Sequence, residues 1–347
     1  MGDLGKKEKN RYDTSTIFDL IDSEDNEIIT NLSWPDRQFL LQYISKYILE
    51  YRRTLGLDPT DTFGIEIEFD NADKGKINRR LISSGLRKEW SIKQDVSLSH
   101  GGEIASPVLH DTETDWNAVE QVCTAARENA IINNNCGGHV HIGRQALGED
   151  KQAWLNFIRL WSAYEKVIYR YGFGEYSTAR TGISKYAKAI ALKLLVTEAY
   201  VSRTHCSIDE IIQKLAVDKY NAVNFLNVRT ADKPNEIDTI EFRAPNGTLN
   251  EIIWQNNVNL FIKMLRAAKS PDFNETLVMN RLASLKKKKI LVTEYDQLDL
   301  DAALEFADLV FDNNLDKVYF IRQYMKAMEN GEEPLQETKP FTRVRKS

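Results

Sequence analysis

Glu66, Glu68, His139, His141, Glu241 and Arg243 stand in three short runs, Gly64-Ile-Glu-Ile-Glu-Phe69, Cys136-Gly-Gly-His-Val-His-Ile-Gly143 and Thr239-Ile-Glu-Phe-Arg-Ala244, in which apolar and ionisable residues alternate. Alternation sends successive side chains to opposite faces of a β-strand. Ile65, Ile67, Phe69, Val140, Ile142, Ile240 and Phe242 are thereby expected to face a core, with the six ionisable residues gathered opposite. Carboxylates, imidazoles and a guanidinium on one sheet lose hydration, and the like charges repel, unless cations and anionic groups neutralise them. The pattern reads as a site that handles metal ions and anions. Glu103, in Gly101-Gly-Glu-Ile-Ala-Ser-Pro107, can complete the carboxylate set. Many carboxylates with few imidazoles favour Mg2+ or Mn2+ over zinc, and Mg2+ on carboxylates beside an arginine is what a triphosphate such as ATP requires.

Each run also has a plainer reading: surface glutamates for Glu66 and Glu68, a satisfied half-buried pair for the histidines, and a cross-strand ion pair for Glu241 and Arg243. All three would have to hold together, which favours the joint site. A hydrolase or oxygenase centred on His139 and His141, with Glu149 as third ligand, would leave Glu66, Glu68 and Arg243 without a role. A non-catalytic interaction protein that kept the fold would leave the whole set idle. Gly75-Lys76 has Asp70 where a phosphate-binding loop needs its first glycine. Cys136 reads as a small buried residue, and Trp154, Trp161 and Tyr164 read as helix core. Arg180 and Lys185, in a loop between helices, are candidate anchors for a substrate carboxylate, against the plainer reading of exposed loop charges.

The elements that must hold these residues follow from the pattern around them. A helix starts at Ser33-Trp-Pro-Asp36 and is expected to run to about Gly56. Residues 62–109 read mostly as strand, with a turn at 71–75 and strands at 63–69, near 90–92 and at 102–105. Helix is expected from Asp115 to about Ile131, through much of 151–218 with a capping box at Ser207-Ile-Asp-Glu210, and again from a box at Thr248-Leu-Asn-Glu251. Residues 1–30 read as an arm, 270–330 as amphipathic helices, and the last fifteen as a polar tail. The organisation expected is an N-terminal arm and helix (1–56), a catalytic domain (57–268) and a helical extension with a tail (269–347).

At 347 residues and 42% hydrophobic, the chain can bury a large core without staples. Three cysteines are too few and too irregular for a disulfide framework, so a cytoplasmic, reducing setting is expected. No apolar run reaches membrane-span length, and the polar start is no secretory signal. A net charge of -5 argues against a nucleic-acid partner. The basic run Lys286 to Lys289 reads as a solvated helix end or loop.

The ensemble of runs resembles the amidoligase family, whose superfamily includes glutamine synthetase, glutamate–cysteine ligase and the guanidino kinases. The resemblance covers about residues 60–265. It is carried by Phe63-Gly-Ile-Glu-Ile-Glu-Phe69, Trp90 with Asp95 and Ser97, Gly102-Glu-Ile-Ala-Ser-Pro107, Cys136 to Gly143, Lys219-Tyr-Asn-Ala-Val-Asn224, and Ile240-Glu-Phe-Arg243 followed by Gly247-Thr-Leu249. It implies an α+β fold with an antiparallel β-sheet of the glutamine synthetase/guanidino kinase type, helices on one face, and ATP with two or more Mg2+ ions on the other. It implies metal ligation by Glu66, Glu68, Glu103, His139 and Glu241, with Glu241, His141 and Arg243 acting in catalysis and the last two near the transferred phosphate. Lys219, Tyr220 and Asn224 would line the nucleotide or substrate side. The implied activity is ATP-dependent amide-bond formation between a small-molecule or peptide carboxylate and an amine. The terminal extensions would be the surfaces for a second copy or a protein partner. The chain departs from the family in having Asp95-Val-Ser97 for Asp-Gly-Ser, and Gly138 where a bulkier apolar residue is common.

Overall fold

The computed structural model describes residues 26, 28–94, 98, 101–288 and 298–326. Six strands form one antiparallel sheet: β1 (Phe63–Phe69), β2 (Ser91–Lys93), β3 (Gly102–Ala105), β4 (Gly138–Gly143), β5 (Val223–Asn224) and β6 (Thr239–Phe242). Their order is β2-β3-β1-β4-β6-β5. Eleven helices accompany them among the described residues: α1 (Trp34–Lys46), α2 (Lys74–Ser83), α3 (Glu113–Arg127), α4 (Lys151–Gly172), α5 (Ile183–Tyr186), α6 (Ala191–Val201), α7 (Ile208–Leu215), α8 (Glu251–Lys269), α9 (Glu275–Lys288), α10 (Leu300–Val310) and α11 (Asn314–Met325).

The alternation in the three runs does what strand geometry requires. Ile65, Ile67, Phe69, Val140, Ile142, Ile240 and Phe242 are all fully buried on one face. Aromatic side chains seal that face: Phe242 stacks on Phe261 of α8 at 4.1 Å between ring centroids and meets Trp161 of α4 at 6.0 Å, while Phe63 stacks on Trp116 of α3 at 4.9 Å. Burying side chains of this size stabilises by roughly 2–3 kcal/mol each. Trp154, Trp161 and Tyr164 belong to this core, as their spacing predicts.

Four local expectations need correction. The first helix stops at Lys46 because side chains elsewhere take the backbone that would continue it. The Tyr319 hydroxyl accepts from Glu50 N, Gln255 brackets Arg52 N and O, and Asp111 accepts from Leu55 N and Leu57 N. The turn expected at 71–75 instead leads into helix α2, whose N-cap Asp73 accepts from Lys76 N and whose buried face is only Ile77 and Leu81. The helix expected from Asp115 to Ile131 runs from Glu113 to Arg127, because the Asp70–Ile131 bridge claims the chain beyond it. The cap of α8 is Asn250 rather than Thr248, whose hydroxyl donates to Glu175 and accepts from Asn250 N. The capping box at Ser207 and Glu210 forms as expected.

Ile29–Asn31 make one 3-10 turn, held by Asp308 of α10. The rest of the expected arm up to residue 25, the tail, Asp95, Ser97 and Lys289 lie outside the described residues, and Lys286 to Lys288 end α9. No described helix is long and apolar enough to cross a membrane.

Gly138 is filled from across the interface. A Cβ there would lie 2.8 Å from the Trp254 ring of α8 and 3.0 Å from the Asn246 carbonyl oxygen. The indole occupies the volume that a larger residue at this position would take. Gly138→Val is therefore expected to destabilise the fold by about 1–3 kcal/mol, and Trp254→Leu to restore part of that loss in the double variant. Urea unfolding of the four proteins checks the coupling, and strict additivity would show that the two positions do not share space.

Candidate active site

Register assembles the polar face from residues far apart in the chain. On the antiparallel ladders Glu68 stands opposite Glu103, Glu66 opposite His139, His141 opposite Glu241, and Glu241 opposite Asn224. Residues on adjacent strands and one face have Cβ atoms about 5 Å apart. Four carboxylates are thus brought beside one guanidinium and two imidazoles.

His139 is the hub of this arrangement. Its ring is buried, with Nδ1 2.7 Å from Glu66 Oε2 and 3.6 Å from Glu241, and Nε2 3.5 Å from Glu68. His141 Nε2 lies 3.3 Å from Glu66 Oε1, and its Nδ1 lies 3.3 Å from the Thr239 hydroxyl. Thr239 was not singled out from sequence, although alternation already puts it on the face of Glu241. Glu68 Oε2 accepts from Gly137 N at 2.5 Å. Glu241 accepts from Asn224 Nδ2 at 2.6 Å and from the Arg243 guanidinium, whose Nε donates to the Tyr186 carbonyl at 3.3 Å.

Electrostatics follow from this packing. Burial works to raise the Glu66 carboxyl, but the hydrogen bond to His139 and the close approach of His141 outweigh it and hold the group far below the usual carboxylate range. Burial raises Glu241 as well, and the charges of His139, Arg243 and His141 bring it below its ordinary value. His141 is pushed down by burial and more strongly up by Glu66 and Glu241, so it is raised overall. Glu103 goes the other way: burial, then the charge of Glu66, raises it.

Two sets of ligand atoms converge within 4.8 Å, Glu66 with His141 and Glu241, and Glu66 with Glu103 and His139. Glu66 belongs to both. The Nε2 atoms of both histidines are buried without a hydrogen-bond partner. Buried polar atoms of this kind need an occupant, and oxygen-rich sets with one imidazole each suit a hard divalent cation. Glu68 belongs to neither set, since one oxygen serves Gly137 and the other faces His139.

The remaining candidates lie at the rim or elsewhere. Lys219 sits exposed, 5.0 Å from the Tyr220 ring, which meets Tyr186 edge-on at 5.8 Å. Lys185 is exposed over Tyr186. Arg180, expected in an exposed loop, is instead buried, with its guanidinium on the carbonyls of Pro245 and Arg243. Glu149 pairs with Arg144 in an exposed ion pair and does not join the histidines, so it is not the third ligand expected for a histidine-centred hydrolase. Cys136 is buried and its thiol is pushed up to about 12 by that burial, which makes it a poor nucleophile. Ser106 of the Gly-Glu-Ile-Ala-Ser-Pro run ends the ladder, its hydroxyl accepting from Ile65 N.

Residues 83–265, just over half of the chain, match a family model described as "Putative amidoligase enzyme". No curated protein matches the chain. The matched span holds Glu103, His139, His141, Asn224, Glu241 and Arg243, and it starts after β1, which carries Glu66 and Glu68.

A carboxyl raised by burial opposes folding once charged, and its contribution is lost as pH rises from the ordinary value of 4.5 through the raised one. Glu103→Gln is accordingly expected to raise the melting temperature of the metal-free protein at pH 7. Added Mg2+ is expected to raise the melting temperature of wild type more than that of the variant. Thermal denaturation with EDTA and with Mg2+ checks both, and a variant that melts lower in EDTA would refute the electrostatic assignment.

Proposed function

This chain belongs to the amidoligase family, and on that premise we propose that it joins a carboxylate to an amine, using ATP and Mg2+, through an acyl phosphate. Membership supports a ligase-type enzyme. The observation that carries the finer reading is the pair of convergent ligand sets sharing Glu66, beside two buried imidazole nitrogens that face carboxylates without a hydrogen bond. The same reading makes the sheet one of the glutamine synthetase and guanidino kinase type, and its three free cysteines suit a reducing cytoplasm.

Glu66, Glu103 and His139 would hold one divalent cation and Glu66, His141 and Glu241 a second, with Glu68 lending the oxygen that faces His139. Bound Mg2+ would supply charge neutralisation for the triphosphate. A substrate carboxylate oxygen bonds to the γ-phosphorus as the bond to the β–γ bridging oxygen breaks, releasing ADP. The amine nitrogen then attacks the acyl carbon, inorganic phosphate leaves with the C–O bond electrons, and the amine proton passes to a base. Arg243 stabilises charge on the phosphoryl group in flight. Its guanidinium is pre-aimed by Glu241 and the Tyr186 carbonyl, and Asn224 holds Glu241 in turn. Where His141 serves as a ligand it is neutral, which leaves the cationic role at the phosphoryl group to Arg243. Lys219 and Tyr220 stand at the rim beside Arg243, where the nucleotide or substrate would enter.

Calorimetry of ATP with and without Mg2+ tests this. Binding is expected to require Mg2+ and to fall by about tenfold or more in Glu66→Gln and Glu68→Gln. Metal-independent binding, or binding untouched by both variants, would sink the reading.

A further inference from the structure

We infer that Arg180 is a positioning residue that couples Glu68 to Arg243 across the start of β4 and the end of β6, an inference that rests on the ligase reading for what those two side chains do. Arg180 lies between α4 and α5, off the sheet, yet it is only 4% exposed. One arm of its guanidinium donates to the Pro245 carbonyl and the other to the Arg243 carbonyl at 3.0 Å. The planar fork therefore holds the chain where it leaves β6, and with it the backbone that carries Arg243.

The same guanidinium packs against Gly137 at the head of β4. A Cβ on Gly137 would sit 2.7 Å from Arg180 Nη1 and 2.8 Å from its Cζ, so only glycine admits the contact. Gly137 N is the donor to Glu68 Oε2, and Glu68 N in turn donates to the Gly137 carbonyl at 3.3 Å. Displacing Gly137 thus displaces Glu68. The charges of Arg180 and Glu68 attract, which adds to the coupling. Asn246 locks the loop that delivers Arg180: its side chain accepts from Arg180 N at 3.0 Å and donates to the Thr178 carbonyl at 3.0 Å, and its backbone N donates to the Gly172 carbonyl. Gly138 N closes the arrangement by donating to the Pro245 carbonyl at 3.1 Å.

A lysine keeps the charge but has no planar fork with which to hold two carbonyls. Arg180→Lys is therefore expected to stay folded, to weaken MgATP binding about tenfold, and to weaken binding of Mn2+ alone, followed by its electron paramagnetic resonance signal. Gly137→Ala, which pushes on the guanidinium from the other side with Arg180 intact, is expected to do the same. Val318→Ala, a core truncation in α11, serves as the stability control: its melting temperature falls while both affinities stay at wild-type values. Either site variant binding Mn2+ and MgATP like wild type, at a temperature where it is folded, would overturn the positioning role and leave Arg180 a structural residue. Wild type binding neither probe would instead bring down the ligase reading itself.

Discussion

Four carboxylates share one face of a single sheet, and every other feature of the polar side answers the repulsion among them. Isolated charges in a half-buried setting are costly, so Glu66, Glu68 and Glu241 each have a close partner, whereas Glu103 faces the exposed Lys93 at 3.8 Å. His139 is wedged between Glu66 and Glu68 and also within reach of Glu241. Arg243 and Asn224 serve Glu241, while Gly137 N serves Glu68. The imidazoles do in the metal-free protein part of what a divalent cation would do: they hold negative oxygens together.

That polar assembly is only as good as the surface beneath it. A one-residue slip of any strand would turn its ionisable residues into the core. The aromatic set that grips Phe242, with Phe261, Trp161 and Phe157, and the Phe63–Trp116 stack make such a slip prohibitive. Position in the site is thus enforced from the apolar side. The continuous core includes Leu40 and Ile44 of α1 and Val318 and Phe320 of α11, so the terminal helices share in the same packing.

Much of this was legible in the sequence because strand alternation has a period of two and the ionisable residues sat on one parity. Glu66, Glu68, His139, His141 and Glu241 could be put on one face without knowing the strand order. What could not be read was anything decided by long-range hydrogen bonding. Residues 47–55 carry helical spacing, yet Tyr319, Gln255 and Asp111 claim their backbone. Helix α2 presents only Ile77 and Leu81 to the core, too few to announce a period. Arg180 looked like a loop charge because the two carbonyls that bury it lie more than sixty residues away. The Gly137-Gly138 pair signalled close approach, but the approaching groups proved to be the protein's own Arg180 and Trp254.

The strand order β2-β3-β1-β4-β6-β5 carries a consequence for how such a chain is made. β1 is the first of the six described strands to be synthesised, and it must lie between two partners that come later. β3 follows by about thirty residues and β4 by about seventy, while Glu241 and Arg243 emerge about a hundred residues later still. Until β3 and β4 have emerged, β1 has one apolar face and an open edge without its native neighbour, the condition in which chains pair wrongly. The two glutamates on its other face act in that interval as charges that discourage edge pairing with another nascent copy.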